Sequence, residues 1–191
     1  MAFSADLTLD RRTGWPEDLQ VLLRRHPRET WETNPNLGET ARFWLRRHQM
    51  FRDLGAALDA GIGEYREGRI DAARFRGWFG RRLGFFLGEL EGHHHIEDAH
   101  YFPQFQQAEA RLARGFDVLE GDHETIHGDL MRAAETANAL LAALAEGRDA
   151  RAAADAHAAH GSAMLGRLLR HLDDEEDLVV PLLLERRDLG L

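Results

Sequence analysis

Two stretches of this chain carry the same spacing of chemically active residues. His93-His94-His95-Ile96-Glu97-Asp98-Ala99-His100-Tyr101-Phe102-Pro103 returns, altered, as His171-Leu172-Asp173-Asp174-Glu175-Glu176-Asp177-Leu178-Val179-Val180-Pro181. In each, a His is followed four residues later by a Glu, and six residues beyond the Glu stands a Pro. Positions i and i+4 of an α-helix lie one turn apart on one face. Each stretch can therefore aim an imidazole nitrogen and a carboxylate oxygen at one point, which is half of a metal site written twice.

The residues around these stretches predict long helices. Ala41, Trp44, His48, Phe51, Gly55, Leu58 and Ile62 fall at steps of three and four, so a helix A should run from about Gly38 to Glu67 with His48 on its inward stripe. Gly68-Arg69 forms a turn, and Asp71 caps a helix B whose stripe of Phe79, Leu83, Phe86 and Leu90 continues into His93, Glu97 and Tyr101 before a kink at Pro103. Helix C begins near Gly115 and places Phe116, Leu119, His123, His127, Leu130, Ala134, Ala137, Leu141 and Leu144 on one side. Helix D, from about Asp149 to Arg187, turns Met164, Leu168, His171, Glu175, Leu178 or Val179, and Leu182 inward. Short connections make such helices antiparallel neighbours, so the expected fold is an all-α, up-down-up-down four-helix bundle. Residues 1–37 form an N-terminal arm with a short helix over Glu17–Arg25, and residues 38–191 form the bundle.

Bulk composition agrees and narrows the chemistry. The chain has 191 residues, enough for one domain with a full core, and Ala, Leu, Arg and Glu dominate it. A formal charge of −9 argues against a nucleic-acid or anionic-membrane surface, and no apolar run approaches a membrane span. Cysteine is absent, which excludes disulfides, thiolate metal sites and iron–sulfur clusters, so any metal must be held by nitrogen and oxygen. Met1 to Asp10 lacks the basic and apolar regions of a secretion signal, and a cytoplasmic protein is expected.

The repeat extends to whole helices. His48 precedes His93 by 45 residues and His127 precedes His171 by 44, so helices A and B correspond to C and D, with Trp44 in the place that His123 holds in the second half. His48, His93, Glu97, His123, His127, His171 and Glu175 thus converge on one interior. Burying two carboxylates beside five imidazoles costs several kcal/mol per charge without cations, and two divalent metals remove that cost. His94 and Asp98 form a competing pair four residues apart, but their stripe through Glu91 and Leu87 is less apolar, so His93 and Glu97 are the preferred register. His94 remains an additional or alternative ligand, and Glu176 competes with Glu175 only if a π-bulge turns the helix. His157 and His160 stand roughly 16–21 Å along the axis from His171, too far to share its metal. Trp44 and Tyr101 are expected to line a ligand pocket.

The ordered series His48, His93-x3-Glu97, His123-x3-His127 and His171-x3-Glu175, with Phe102-Pro103 and Val180-Pro181 after the carboxylates, resembles the hemerythrin and hemerythrin-like HHE cation-binding family across about residues 38–187. The resemblance implies a non-heme di-iron centre bridged by the two carboxylates and an oxo or hydroxo species. It further implies that His123, His127 and His171 fill one iron, while His48 and His93 hold the other and leave it open to O2. Peroxide, nitric oxide or azide would fit the same opening. The residues alone leave zinc open beside iron; the resemblance selects iron. Non-enzymatic binding or sensing of O2 is the expected role, with peroxide or nitric oxide turnover and iron sensing or storage as the alternatives.

Overall fold

The computed structural model describes residues 6–186 and 189. Among them there is no strand, and the chain is a helical bundle built on four long helices. These are α1 (Glu39–Arg66), α2 (Ala72–Ile96), and, after a π-helical turn at Glu97–Tyr101, a short α3 (Phe102–Ala108) and a 3-10 turn (Ala110–Leu112), then α4 (Ala113–Ala145) and α5 (Arg151–Glu185). They take the places predicted for helices A to D, with Arg187, the predicted end of D, outside the described residues. Local chemistry sets the ends. Gly68 and Gly147 take φ of 72° and 67°, a conformation glycine adopts without steric cost, just beyond α1 and α4. Asp71 Oδ1 accepts the Arg74 N–H at 2.9 Å as the cap of α2. No helix among the described residues is long and apolar enough to cross a membrane.

The chain divides into two compact units, and each long helix gives part of its length to both. One comprises the described residues of Met1–Gln49, His94–Glu124 and Leu169–Leu191. Its core joins Trp15, Leu19, Leu22 and Trp31 of the N-terminal segment to Trp44, Phe102, Phe105, Phe116 and Leu119, and to Leu178–Val180 and Leu182–Leu184 of α5. The segment over Glu17–Arg25 is not the predicted helix. It is a string of turns, such as Leu19 N–H to Pro16 O at 2.9 Å and His26 N–H to Leu22 O at 2.9 Å, and its one helical turn is the 3-10 stretch Arg28–Thr30. Packing of Trp15, Leu19 and Leu22 against helices rather than local periodicity sets its path.

In this unit Gly115 of α4 faces Leu178 so closely that an added Cβ would stand 2.6 Å from Leu178 Cδ1. Gly115→Ala forces the buried Leu178 side chain to shift, an overpacking cost of about 1–3 kcal/mol, against a gain of about 1 kcal/mol in helix propensity, so a net loss of up to about 2 kcal/mol is expected. A urea midpoint equal to that of the wild type would show that Leu178 repacks freely.

The other unit comprises Met50–His93 and Thr125–Leu168. Tyr65 stacks on Phe75 and Phe75 on Phe79, while Phe51 meets Phe86 edge-on. His157 is buried here, its ring edge-on to Phe79 and its Nδ1 3.0 Å from Thr136 Oγ1. It is a core histidine whose polar atom is partnered.

Candidate metal centre

The end of α2 shows how one helix can present two ligand registers. From the buried Leu90, His93 lies three residues on and His94 four, which places them about 60° and 40° to either side of the same face. Both rings consequently join the interior, and sequence periodicity forced a choice that the helix does not make. The π-helical turn follows immediately. Its closing bond runs from Phe102 N–H to Glu97 O, and it leaves Glu97 buried with Asp98 half-buried beside it.

Two groups of ligand atoms result. His94, His123 and His171 form the first; Glu97, Glu175 and His48 form the second with His93, the residue that precedes His94 in the chain. Within each group the candidate atoms lie within 4.8 Å of one another. The groups are bordered by the same carboxylates. Glu175 Oε1 is 3.3 Å from His48 Nε2, and Glu175 Oε2 is 3.2 Å from His171 Nε2. Glu97 Oε2 is 3.7 Å from His123 Nε2.

Three of the imidazoles are oriented from behind by carboxylates. His123 Nδ1 lies 2.7 Å from Asp98 Oδ1, His48 Nδ1 lies 3.0 Å from Glu176 Oε1, and His171 Nδ1 lies 3.4 Å from Asp122 Oδ2. An Nδ1–H donated to each carboxylate leaves Nε2 to face the cluster, the arrangement that fixes the tautomer of metal-ligating histidines. His123 Nε2 and His171 Nε2 then oppose each other at 3.1 Å. Two inward lone pairs at that distance require a cation between them or a proton on one of them. The electrostatics assign the proton of the metal-free state to His171. Burial alone would lower its pKa, but Asp122 and Glu175 outweigh burial and raise it to about 9, whereas burial holds His123 below its ordinary value.

The carboxylates diverge in the same way. Burial, followed by repulsion from Glu175, holds Glu97 well above the usual carboxylate range. Glu175 is equally buried, yet His48 and His171 hold it well below that range. Trp44 donates its indole N–H to Glu175 Oε1, and Tyr101 packs edge-on against the Trp44 ring at 5.0 Å. Phe51 covers His93, with ring centroids 5.1 Å apart.

The arrangement differs from the sequence expectation at His127. That residue is exposed and belongs to neither group. The inward stripe of α4 runs Leu119, Asp122 and His123, Ile126, Leu130, Ala133, so the step after His123 is three residues and not four. Each four-residue step advances about 40° round the helix, and a second one takes His127 off the face. His94 occupies the third imidazole position instead, stacked on His123 at a 4.0 Å centroid distance. Glu175 reaches the ligand atoms, whereas Glu176 holds His48 from behind. Sequence reading paired Asp98 with His94 and set that register aside, whereas Asp98 stands behind His123; it missed Asp122, Asp174, Arg12 and Arg28.

The family comparison now has a site to explain. The hemerythrin HHE cation-binding domain matches residues 40–183, which contain every residue of both groups. The chain belongs to this family. No curated protein and no solved structure gives a significant match. The residues of this hemerythrin-like domain fit a bound cation on their own chemistry. All donors are imidazole nitrogen or carboxylate oxygen, and Glu175 Oε2 is buried with no hydrogen bond of good geometry directed at it. The hemerythrin match marks the domain as cation-binding, and the His/Glu clusters are where cations would be held.

Proposed function

We propose that this hemerythrin-like protein holds two iron ions and binds or senses O2 or a related small ligand, such as nitric oxide or peroxide, without turning it over. The bundle is read as up-down-up-down because its helix connections at 67–71 and 146–150 are short, with residues 1–37 as an arm on a domain of residues 38–191. His94, His123 and His171 would hold one metal and His48 and His93 the other, with Glu97 and Glu175 shared. The iron pair, when bound, supplies reversible one-electron chemistry and a Lewis-acidic position for a small ligand.

The observation that carries the reading is the inequality of the two sets: three imidazoles against two. The His48/His93 side is one donor short, and the missing donor lies on the side of Trp44. Here the chain's own residues act by shaping access. Trp44 holds Glu175 through its indole N–H and, with Tyr101, presents an aromatic wall that limits water. The low-dielectric surroundings of Phe51, Phe102 and Phe105 favour a small neutral ligand over a charged one. A cytoplasmic setting is part of the proposal, and the net charge of −9 disfavours nucleic-acid and anionic-membrane partners.

Metal analysis of the purified protein, with anaerobic reduction and an absorption spectrum during O2 addition, tests the reading. Two irons per chain and spectral changes that reverse under vacuum are expected. The ligand assignment is tested beside it. His94→Ala should lose one of the two metals, and His127→Ala should retain both, because His127 is exposed. Loss of metal in His127→Ala would overturn the assignment.

A further inference from the structure

The strongest unassigned feature is the insertion of two arginines of the N-terminal segment behind the metal centre. Arg12 is 2% exposed. Its Nη2 donates to Asp122 Oδ2, its Nη1 to Asp122 Oδ1 at 3.3 Å and to Leu7 O at 2.8 Å, and its Nε to Asp174 Oδ2 at 2.8 Å. The guanidinium also lies over the Trp15 ring, whose own N–H donates to Asp174 O at 2.7 Å. Asp122 in turn faces His171 Nδ1. Arg28 repeats the pattern: its Nη1 donates to Glu176 Oε2 at 3.0 Å, its Nε to Asp177 Oδ1 at 2.6 Å, its Nη2 to Asp173 O, and it lies over Trp31. Glu176 in turn faces His48 Nδ1.

We propose that Arg12 and Arg28 are positioning residues of the metal centre, one for each ligand cluster: Arg12 acts through Asp122 on His171, and Arg28 acts through Glu176 on His48. The proposal rests on the two-metal reading above. A bidentate guanidinium fixes both oxygens of a carboxylate in one plane, which a single N–H cannot do. Asp122 is thereby held with one oxygen towards His171 and is not free to turn to the neighbouring backbone. Three of its contacts go to the two carboxylates, and they are needed because Asp122 and Asp174 are both buried and repel each other when unpaired. Arg28, the nearer of the two, stands eleven residues before Glu39, the first residue of α1, so the ligand geometry of the helices depends on residues outside them.

Titration of the metal-free, full-length protein with Co2+ against a competing chelator tests this, with the visible bands of bound Co2+ reporting ligand geometry. The wild type should bind two equivalents, and His94→Ala and His93→Ala identify which is which. Arg12→Gln should weaken the equivalent removed by His94→Ala by about 10–100-fold and shift its bands, leaving the other equivalent in place. Arg28→Gln should weaken the equivalent removed by His93→Ala. Arg28 is 39% exposed in its side chain, so its replacement leaves the core intact even where Arg12→Gln fails to fold. Arg28→Gln with both affinities and both spectra unchanged overturns the proposal, as does equal weakening of both equivalents. A wild type that binds no Co2+ is a different result: it sinks the metal reading, and the proposal with it.

Discussion

Stripping the metals from this protein should lower its melting temperature by about 8–16 °C. A ligand that binds only the folded state stabilises it by RT ln(1 + [L]/Kd), about 4 kcal/mol at a thousandfold excess over Kd. For a chain of this size each kcal/mol moves the melting temperature by about 2–4 °C. The metal-free state carries a proton where a cation would sit, on His171, raised to about 9, while burial and Glu175 push Glu97 up as well. The sign of the pH dependence follows. A raised His171 gives the metal-free protein stability that is fully present below about 6.5 and is lost as pH rises through about 9. Glu97 acts in the same direction, because its burial as a carboxylate becomes costlier as pH rises. Metal binding has the opposite slope, since the proton on His171 must leave, and apparent affinity should climb with pH until about 9. Calorimetry in buffers of different ionisation heat should record proton release on metal addition at neutral pH. Metal uptake with no proton release would contradict the assignment.

Glu175→Ala should be the most damaging single substitution at the centre. It removes the carboxylate that stands against both His48 and His171 and accepts the Trp44 N–H. Bound metal should fall from two equivalents to one or fewer. The metal-free protein should lose about 3–5 kcal/mol, because His48 and His171 lose the buried anion that balances them. Elemental analysis and a urea melt of the stripped protein separate the two effects. Glu176→Ala is the informative contrast: it removes the carboxylate behind His48 only, so the His94/His123/His171 group should keep its metal. Two full equivalents in Glu175→Ala would show that Glu175 is a structural carboxylate and not a ligand.

Helix positions were legible in the sequence because each long helix has an apolar stripe, and that of α1, from Ala41 to Ile62, is buried at every predicted position. The ligand set was legible to the extent that periodicity determines facing. It failed at His127, where one accumulated four-residue step turns a side chain outward, and at His94, where two adjacent residues flank one inward direction. The carboxylates behind the imidazoles were not legible. Asp122 and Asp174 are buried only because Arg12 reaches them, across 110 and 162 residues of sequence, and nothing local announces such a pairing. The N-terminal segment was hardest to read because its path follows Trp15, Leu19, Leu22 and Trp31 into a core that other elements complete.

The π-helical turn at Glu97–Tyr101 has a consequence for how this chain can vary. Over five residues an α-helix rotates about 140° from where it began, so Glu97 and Phe102 on an unbroken helix would point in divergent directions. The wider turn brings Phe102 back towards the interior, and both residues are buried. The polypeptide thus carries two rotational phases in succession, one timed to the chemistry of His93, His94 and Glu97 and one timed to the aromatic packing of Phe102 and Phe105. Five residues set the offset between them, so deleting one residue within Glu97–Tyr101 to restore an unbroken α-helix would turn one of the two sets out of the interior.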